Sequence, residues 1–234
     1  NLPVTFVSWF DAARFVNWLE NGQPTGGQNA STTERGSYTL DGAVSGVTVT
    51  RTAGSKYGLP TENEWYKAAY FQPAAKGGDS DNYWLYATKS NTQPNSRNGS
   101  TTDPNSANYF YNDNIANGYN GGYAVNNSGT TPTGIALTDV GAFTLADSYY
   151  GTYDQDGNVW EWNDTVISSA RGVRGGAWND TNDKLAGTYR NSFGPATQYS
   201  YLGFRITETP EPSAVGLMAL GIGLLAWKRM KRAR

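Results

Sequence analysis

GLPTENEWYKAA, residues 58–69, opens on a turn and runs straight into a helix. Thr61 and Glu64 have the spacing of a reciprocal capping box, and Trp65, Ala68 and Ala69 share the face behind it. Upstream, Ser8-Trp9-Phe10-Asp11 repeats the device, and Ala12, Phe15, Val16 and Leu19 recur at i, i+3, i+4 and i+7. The spacing predicts a second helix over about 10–20. Between the two lie a Gly/Gln/Thr/Ser-rich loop (21–36) and YTLDGAVSGVTVTR (38–51), whose alternation and Asp-Gly turn predict a small hairpin. Downstream, about 72–150 is rich in Asn, Gly, Ser, Thr and Tyr and has little periodicity. Its many aromatics argue for ordered, irregular structure with pinned loops. Short strand-like pieces surround Trp160, Trp162, Trp178 and Phe204, and no internal repeat is visible. Two helices, short strands and much loop make an α+β domain.

Composition sets the chemical limits. The 234 residues include no Cys and no His, which removes disulfides, thiolate or imidazole metal sites, Cys nucleophiles and every His general-base scheme. The chain carries 22 Asn, 28 Gly and 32 aromatics, and only 16% of it is charged, which suits a loop-rich exported protein. Residues 228–234, KRMKRAR, hold five of the 18 basic groups. The rest therefore sets 13 basic against 20 acidic groups, a net of −7. That excess disfavours nucleic acid and favours calcium or neutral partners.

The C-terminus reads Pro210-Glu211-Pro212, an uncharged run from Ser213 to Trp227, then the basic cluster. The run spans ~22 Å as a helix, short of the ~30 Å hydrocarbon core, and its basic flank belongs on the cytoplasmic side. This order resembles the PEP-CTERM sorting signal of Gram-negative bacteria. The resemblance implies recognition by an exosortase at Pro210-Glu211-Pro212, with a short transmembrane segment (213–227) anchoring the chain in the inner membrane before processing. It also implies delivery to the cell surface or extracellular matrix. Residues 1–207 are then one domain and 208–234 the signal.

Five segments carry a second resemblance: PVTFVSWFDAARFVNW (3–18), GLPTENEWYKAA (58–69), DQDGNVWEW (154–162), RGVRGGAW (171–178) and LGFRI (202–206). In this order they resemble the formylglycine-generating enzyme, or sulfatase-modifying factor, family. The resemblance implies a fold related to C-type lectins, with a further half-domain expected before residue 1. It does not carry the family's oxidase chemistry. Asp180 and Leu185 stand at about the positions of the two copper-binding cysteines, and neither is a soft ligand for Cu(I). The histidine-iron chemistry of the related sulfoxide synthases is equally excluded.

Calcium is compatible with what remains. Asp154, Asp156, Asn158 and Glu161 put four oxygen-bearing side chains within eight residues, with Gly157 to turn the chain, a hard-donor set set against the plainer reading of a well-capped turn stapled by Trp160 and Trp162. The resemblance implies calcium ligands at the side chains of Asp154 and Glu161 and the carbonyls of Gln155, Gly157 and Val159. A second calcium segment of the family is matched by Asn108 and Tyr109. Glu62 and Glu64, two apart on a helix, do not face each other for paired-acid hydrolysis. Arg174, Arg190 and Arg205 are expected to hold loops by bonding carbonyls and carboxylates, the other reading being bidentate binding of an anionic ligand. Asn-x-Ser/Thr sites fall at Asn29, Asn98, Asn126, Asn163 and Asn179. Tyr83, Trp84, Tyr86, Tyr109, Tyr111, Tyr119 and Tyr123 form the candidate ligand surface, set against the plainer reading that about half of them are core, with extracellular polysaccharide or a surface protein as partner. The leading expectation is a non-catalytic, calcium-stabilised binding domain. The rival is a degenerate or unknown enzyme using carboxylates and Asn near Asp180 and Asp183 with a hard metal, and a third reading is a structural surface protein that binds its own kind.

Overall fold

The four-stranded sheet at the centre is assembled from the last third of the chain, and the first helix is laid against it. The structure is a computed structural model that describes residues 1–96, 102–111, 122–126, 128 and 132–209. In chain order the elements are α1 (Trp9–Glu20), β1 (Tyr57–Gly58), α2 (Glu62–Tyr70), a 3₁₀ turn (Ala74–Lys76), β2 (Asn95–Ser96), β3 (Ser106–Ala107), β4 (Phe110–Tyr111) and β5 (Gly122–Tyr123). There follow β6 (Trp160–Ile167), β7 (Ala170–Arg174), α3 (Asn182–Leu185), β8 (Asn191–Phe193), β9 (Leu202–Phe204) and β10 (Thr207–Glu208). The sheet order is β8-β7-β6-β9, with β9 parallel to β6 and the other pairs antiparallel. The remaining strands form two-residue pairs that clip loops together.

Both capping boxes form. Ser8 Oγ accepts from the Asp11 N–H at 3.1 Å while Asp11 accepts from the Ser8 N–H at 2.9 Å. Thr61 and Glu64 exchange the same pair of bonds at the start of α2. Each box satisfies orphan donors at its helix start, an effect worth about 1 kcal/mol. The buried stripe of α1 is Trp9, Ala12, Ala13 and Val16. Phe15, expected inside, is 42% exposed and leans on Phe204 at the rim, because Trp9 starts the stripe one step earlier.

That stripe meets Leu59, Trp160, Trp162, Val173 and Leu202 in the main core. Arg171 crosses the same core almost wholly buried. Its guanidinium lies 3.8 Å from the centre of the Trp9 ring and bonds Asp164 and the carbonyl of Val49. The expected hairpin over 38–51 is reduced to one antiparallel bridge, Tyr38 to Arg51. The Arg171 bonds to this segment, together with Asn17, which donates to Thr33 and Tyr38 carbonyls and accepts from the Tyr38 N–H, replace a strand ladder there.

Candidate functional site

The RGGAW turn that follows β7 brings the positions matching the family's copper cysteines into view. Gly175 (φ 99) lies so close to Gln155 that an added Cβ would meet its carbonyl oxygen at 2.7 Å, so only glycine allows the chain to pass. Asp180 accepts from the Ala177 N–H at 3.0 Å and its carbonyl accepts from Phe110 N–H, which makes it a brace for the turn. Burial pushes its carboxyl up, partly offset by hydrogen bonds from Trp160 and Ala177. Leu185 is fully buried among Tyr86, Ala107, Tyr109 and Ala186. Asp183 is exposed and bonded to Thr181 and Lys184. Among the described residues no three acids gather to hold a metal ion, so the acid cluster that would favour the rival reading is not found around Asp180 and Asp183.

The 154–161 loop is more suggestive. Asp154 (φ 56), Gly157 (φ 78) and Asn158 (φ 62) all take the left-handed conformation, which coils the backbone tightly. At Gly157 a Cβ would sit 2.1 Å from the carbonyl oxygen of Asn108. Asp154, Val159 and Glu161 line one cleft of ≈ 310 Å³ together with Leu2, Val4 and Arg205. Burial raises the Asp154 carboxyl, against a 2.6 Å bond from the Gly141 N–H and the charge of Arg205. The hard oxygens on this loop fit calcium at Asp154. Glu161 fits less simply. It accepts from Trp65 Nε1 at 2.6 Å, and the Arg205 guanidinium bonds both its oxygens. At the second segment, Asn108 Oδ1 is buried with no hydrogen-bond partner while its Nδ2 donates to Ala136 and Asn158. The Tyr109 carbonyl accepts from Ser96 Oγ at 2.6 Å.

The candidate ligand surface divides. Tyr86 (4% exposed) and Tyr109 (0%) are core residues, a correction with a simple cause: they supply the apolar filling around Leu185 that an Asn- and Gly-rich region otherwise lacks. Tyr111 and Tyr123 are half-buried, Tyr111 against the Tyr109 ring and Tyr123 between Phe110 and Trp178. Tyr119 and the Pro210-Glu211-Pro212 motif lie outside the described residues. Tyr83 and Trp84 do converge. With Tyr66, Asp79, Asp81 and Asn91 they line an open cleft of ≈ 280 Å³. The Tyr66 and Tyr83 rings lie 5.3 Å apart, and Trp84 is oriented by donating from Nε1 to Gln72.

Tyr66 also borders a second cleft, with Glu62, Asn63, Arg174 and Arg190. Here Glu62 is buried and anchors Arg174 by bonds of 2.9 and 2.6 Å, and Arg190 as well. Arg174 also bonds the Gly187 and Tyr189 carbonyls, while Arg205 bonds the Tyr153 carbonyl. The hub at Glu62 was missed from sequence. Its signal was present, because Glu62, Trp65 and Ala69 fall on one helical face and the last two are apolar.

These features place the chain among known proteins. Residues 1–210 match the model of the sulfatase-modifying factor enzyme 1-like domain, and the chain belongs to that family. Residues 208–232 match the PEP-CTERM protein-sorting motif. This is therefore an exported domain of the formylglycine-generating type carrying the exosortase signal of Gram-negative bacteria. Among solved structures, CarF is 21% identical over 90% of this chain and 68% of its own, with a TM-score of 0.53, a likeness of fold. Treponema denticola variable protein 1 (20% identical, 89% and 72% covered, TM-score 0.46) and PvdO from Pseudomonas aeruginosa (17%, 89% and 62%, 0.43) are also similar. No curated protein matches the chain. Among the described residues no helix is long and apolar enough to cross a membrane, and 213–227 lies outside them.

Proposed function

We propose that this exported domain is a binding module of the cell surface or extracellular matrix, stabilised by calcium, whose ligand is a carbohydrate chain. The observation that carries the reading is the cleft at Tyr66, Tyr83 and Trp84. Aromatic faces there offer apolar surface to the C–H faces of a sugar. Asp79, Asp81 and Asn91 at its edge offer acceptors and amide donors for hydroxyl groups. Two acids and no base in the lining favour neutral or amino sugars over acidic ones. Tyr83 retains 36% exposure, so a ring is available to a partner. The loss of both thiolate positions, one to a core leucine and one to a turn brace, supports binding over the family's oxidation.

In this reading Asp154 and the carbonyls of Gln155, Gly157 and Val159 would hold calcium, with Glu161 sharing its carboxylate between the ion and Arg205. The ion supplies positive charge that fixes the loop, and no chemical step. The test is retention of the full chain on purified extracellular polysaccharide from the producing organism, in calcium and then in chelator. Retention is expected in calcium, and Trp84→Ala should lower affinity at least tenfold, with Asp81→Asn lowering it less. No retention in either condition, or unchanged retention of Trp84→Ala, would overturn the cleft as the site.

A further inference from the structure

A second feature concerns Asp156, which lines a cavity that adjoins the cleft of Val159 and Glu161 and shares Asp154 with it. The side chain is 4% exposed, and its Oδ2 accepts from the Ala87 N–H at 2.7 Å. The other oxygen, Oδ1, is fully buried and finds no hydrogen-bond partner. Among the described residues no ion pair reaches this carboxylate. A buried, unpaired carboxylate costs several kcal/mol, so something must neutralise it.

The surroundings narrow the choice. Asp156 lines a small cavity of ≈ 10 Å³, room for a single atom-sized guest. On the same wall is Ser106, 1% exposed, whose Oγ is likewise buried and unpartnered. Thr88, Thr152, Gln155 and Asp154 complete its polar lining, and no Lys or Arg contributes. Every polar side chain there carries oxygen, and two are carboxylates. A proton would neutralise Asp156 alone. A cation would engage the free oxygens of Asp156 and Ser106 together and act on Asp154 as well.

We propose that Asp156 and Ser106 hold one divalent cation of the calcium type in this cavity, pinning the 154–158 loop to the Ala87–Thr88 turn and to β3. Hydroxyl, amide and carboxylate oxygens are the donors such an ion takes. This site needs neither Glu161 nor the carbohydrate cleft.

Calcium binding to the full chain, by isothermal titration and by thermal unfolding in calcium and in chelator, tests it. Asp156→Asn keeps the shape and removes the charge. It should lose one equivalent of calcium and the corresponding rise in Tm, and in chelator it should melt at or above the unsubstituted chain. Ser106→Ala should weaken that equivalent about tenfold while leaving the fold intact. Glu161→Gln separates the two metal readings, since it should spare the Asp156 equivalent. The proposal is overturned if Asp156→Asn binds as many equivalents with the same Tm rise, or if the unsubstituted chain binds no calcium and its Tm does not move. A calcium response lost only in Glu161→Gln would also overturn it, in favour of the 154–161 loop alone.

Discussion

The part of the molecule built on α1 and the four-stranded sheet and the part between residues 72 and 150 are held together by different forces. In the first, Trp9, Phe10, Trp160 and Trp162 pack at no more than 2% exposure, and backbone groups are met by helix and sheet. In the second, β2 to β5 are two residues each, and side chains meet much of the backbone's need. Asn91 accepts from the Leu85 N–H, Asn105 donates to the Thr92 and Gln93 carbonyls, and Ser96 donates to the Tyr109 carbonyl. An irregular path deprives buried amides of ladder partners, and short polar side chains replace them. Among the described residues, the Asn, Ser and Thr that make this stretch look featureless are therefore its scaffold.

The sharpest way to break the contrast is to hollow the first region. Trp162 is fully buried, is flanked by Phe193 and donates from Nε1 to the Val7 carbonyl at 3.0 Å. Trp162→Ala should cost about 3–5 kcal/mol, read as a lowered urea midpoint for the whole domain. A change confined to one loop would show that the sheet is not the common core.

What was legible in the sequence divides along the same line. The capping boxes at Ser8 and Thr61 were visible because their partners are three residues apart and owe nothing to the rest of the chain. The motifs at 154–162 and 171–178 were visible because glycines and tryptophans at fixed spacing are rarely interchangeable, and they form β6, β7 and the turn between β7 and α3. The hairpin over 38–51 failed because alternation reports a half-buried surface and not a strand partner. Asn17 and Arg171, distant in sequence, took the partner's place. Tyr86 and Tyr109 were misplaced because an aromatic in a polar context looks the same whether it faces a ligand or fills a hole. The free oxygens of Asp156 and Asn108 have no sequence signature, since burial and the absence of partners are properties of the fold.

Acid sharpens the comparison within the first region. Burial pushes the Glu34 carboxyl up, but bonds from Arg14, Gln28 and the Gly42 N–H outweigh it and hold it at about 2. The native state therefore releases this proton more readily than the unfolded chain. The stability this confers is complete above the unfolded value near 4.5 and is lost as pH falls towards 2. It amounts to about 3 kcal/mol. The difference in unfolding free energy between the unsubstituted chain and Glu34→Gln should approach that size at pH 6–7 and vanish near pH 2. A pH-independent difference would mean that Glu34 acts through packing.

The smallest effect belongs to the second region, and its locality matters more than its size. Asn105 accepts from Thr88 Oγ1 at 2.6 Å and donates to two carbonyls, so one half-buried side chain fastens residues 88–93 to β3. Asn105→Ala strands those groups at a cost of about 1–3 kcal/mol. Because polar side chains and a small core around Leu185, separate from the main core, hold this stretch, the loss should appear as faster amide exchange over 86–96, with protection in α1 and β6 unchanged. Exchange accelerating equally in α1 and β6 would mean that the two regions unfold as one unit, and that the polar ties are as much a part of the core as the rings.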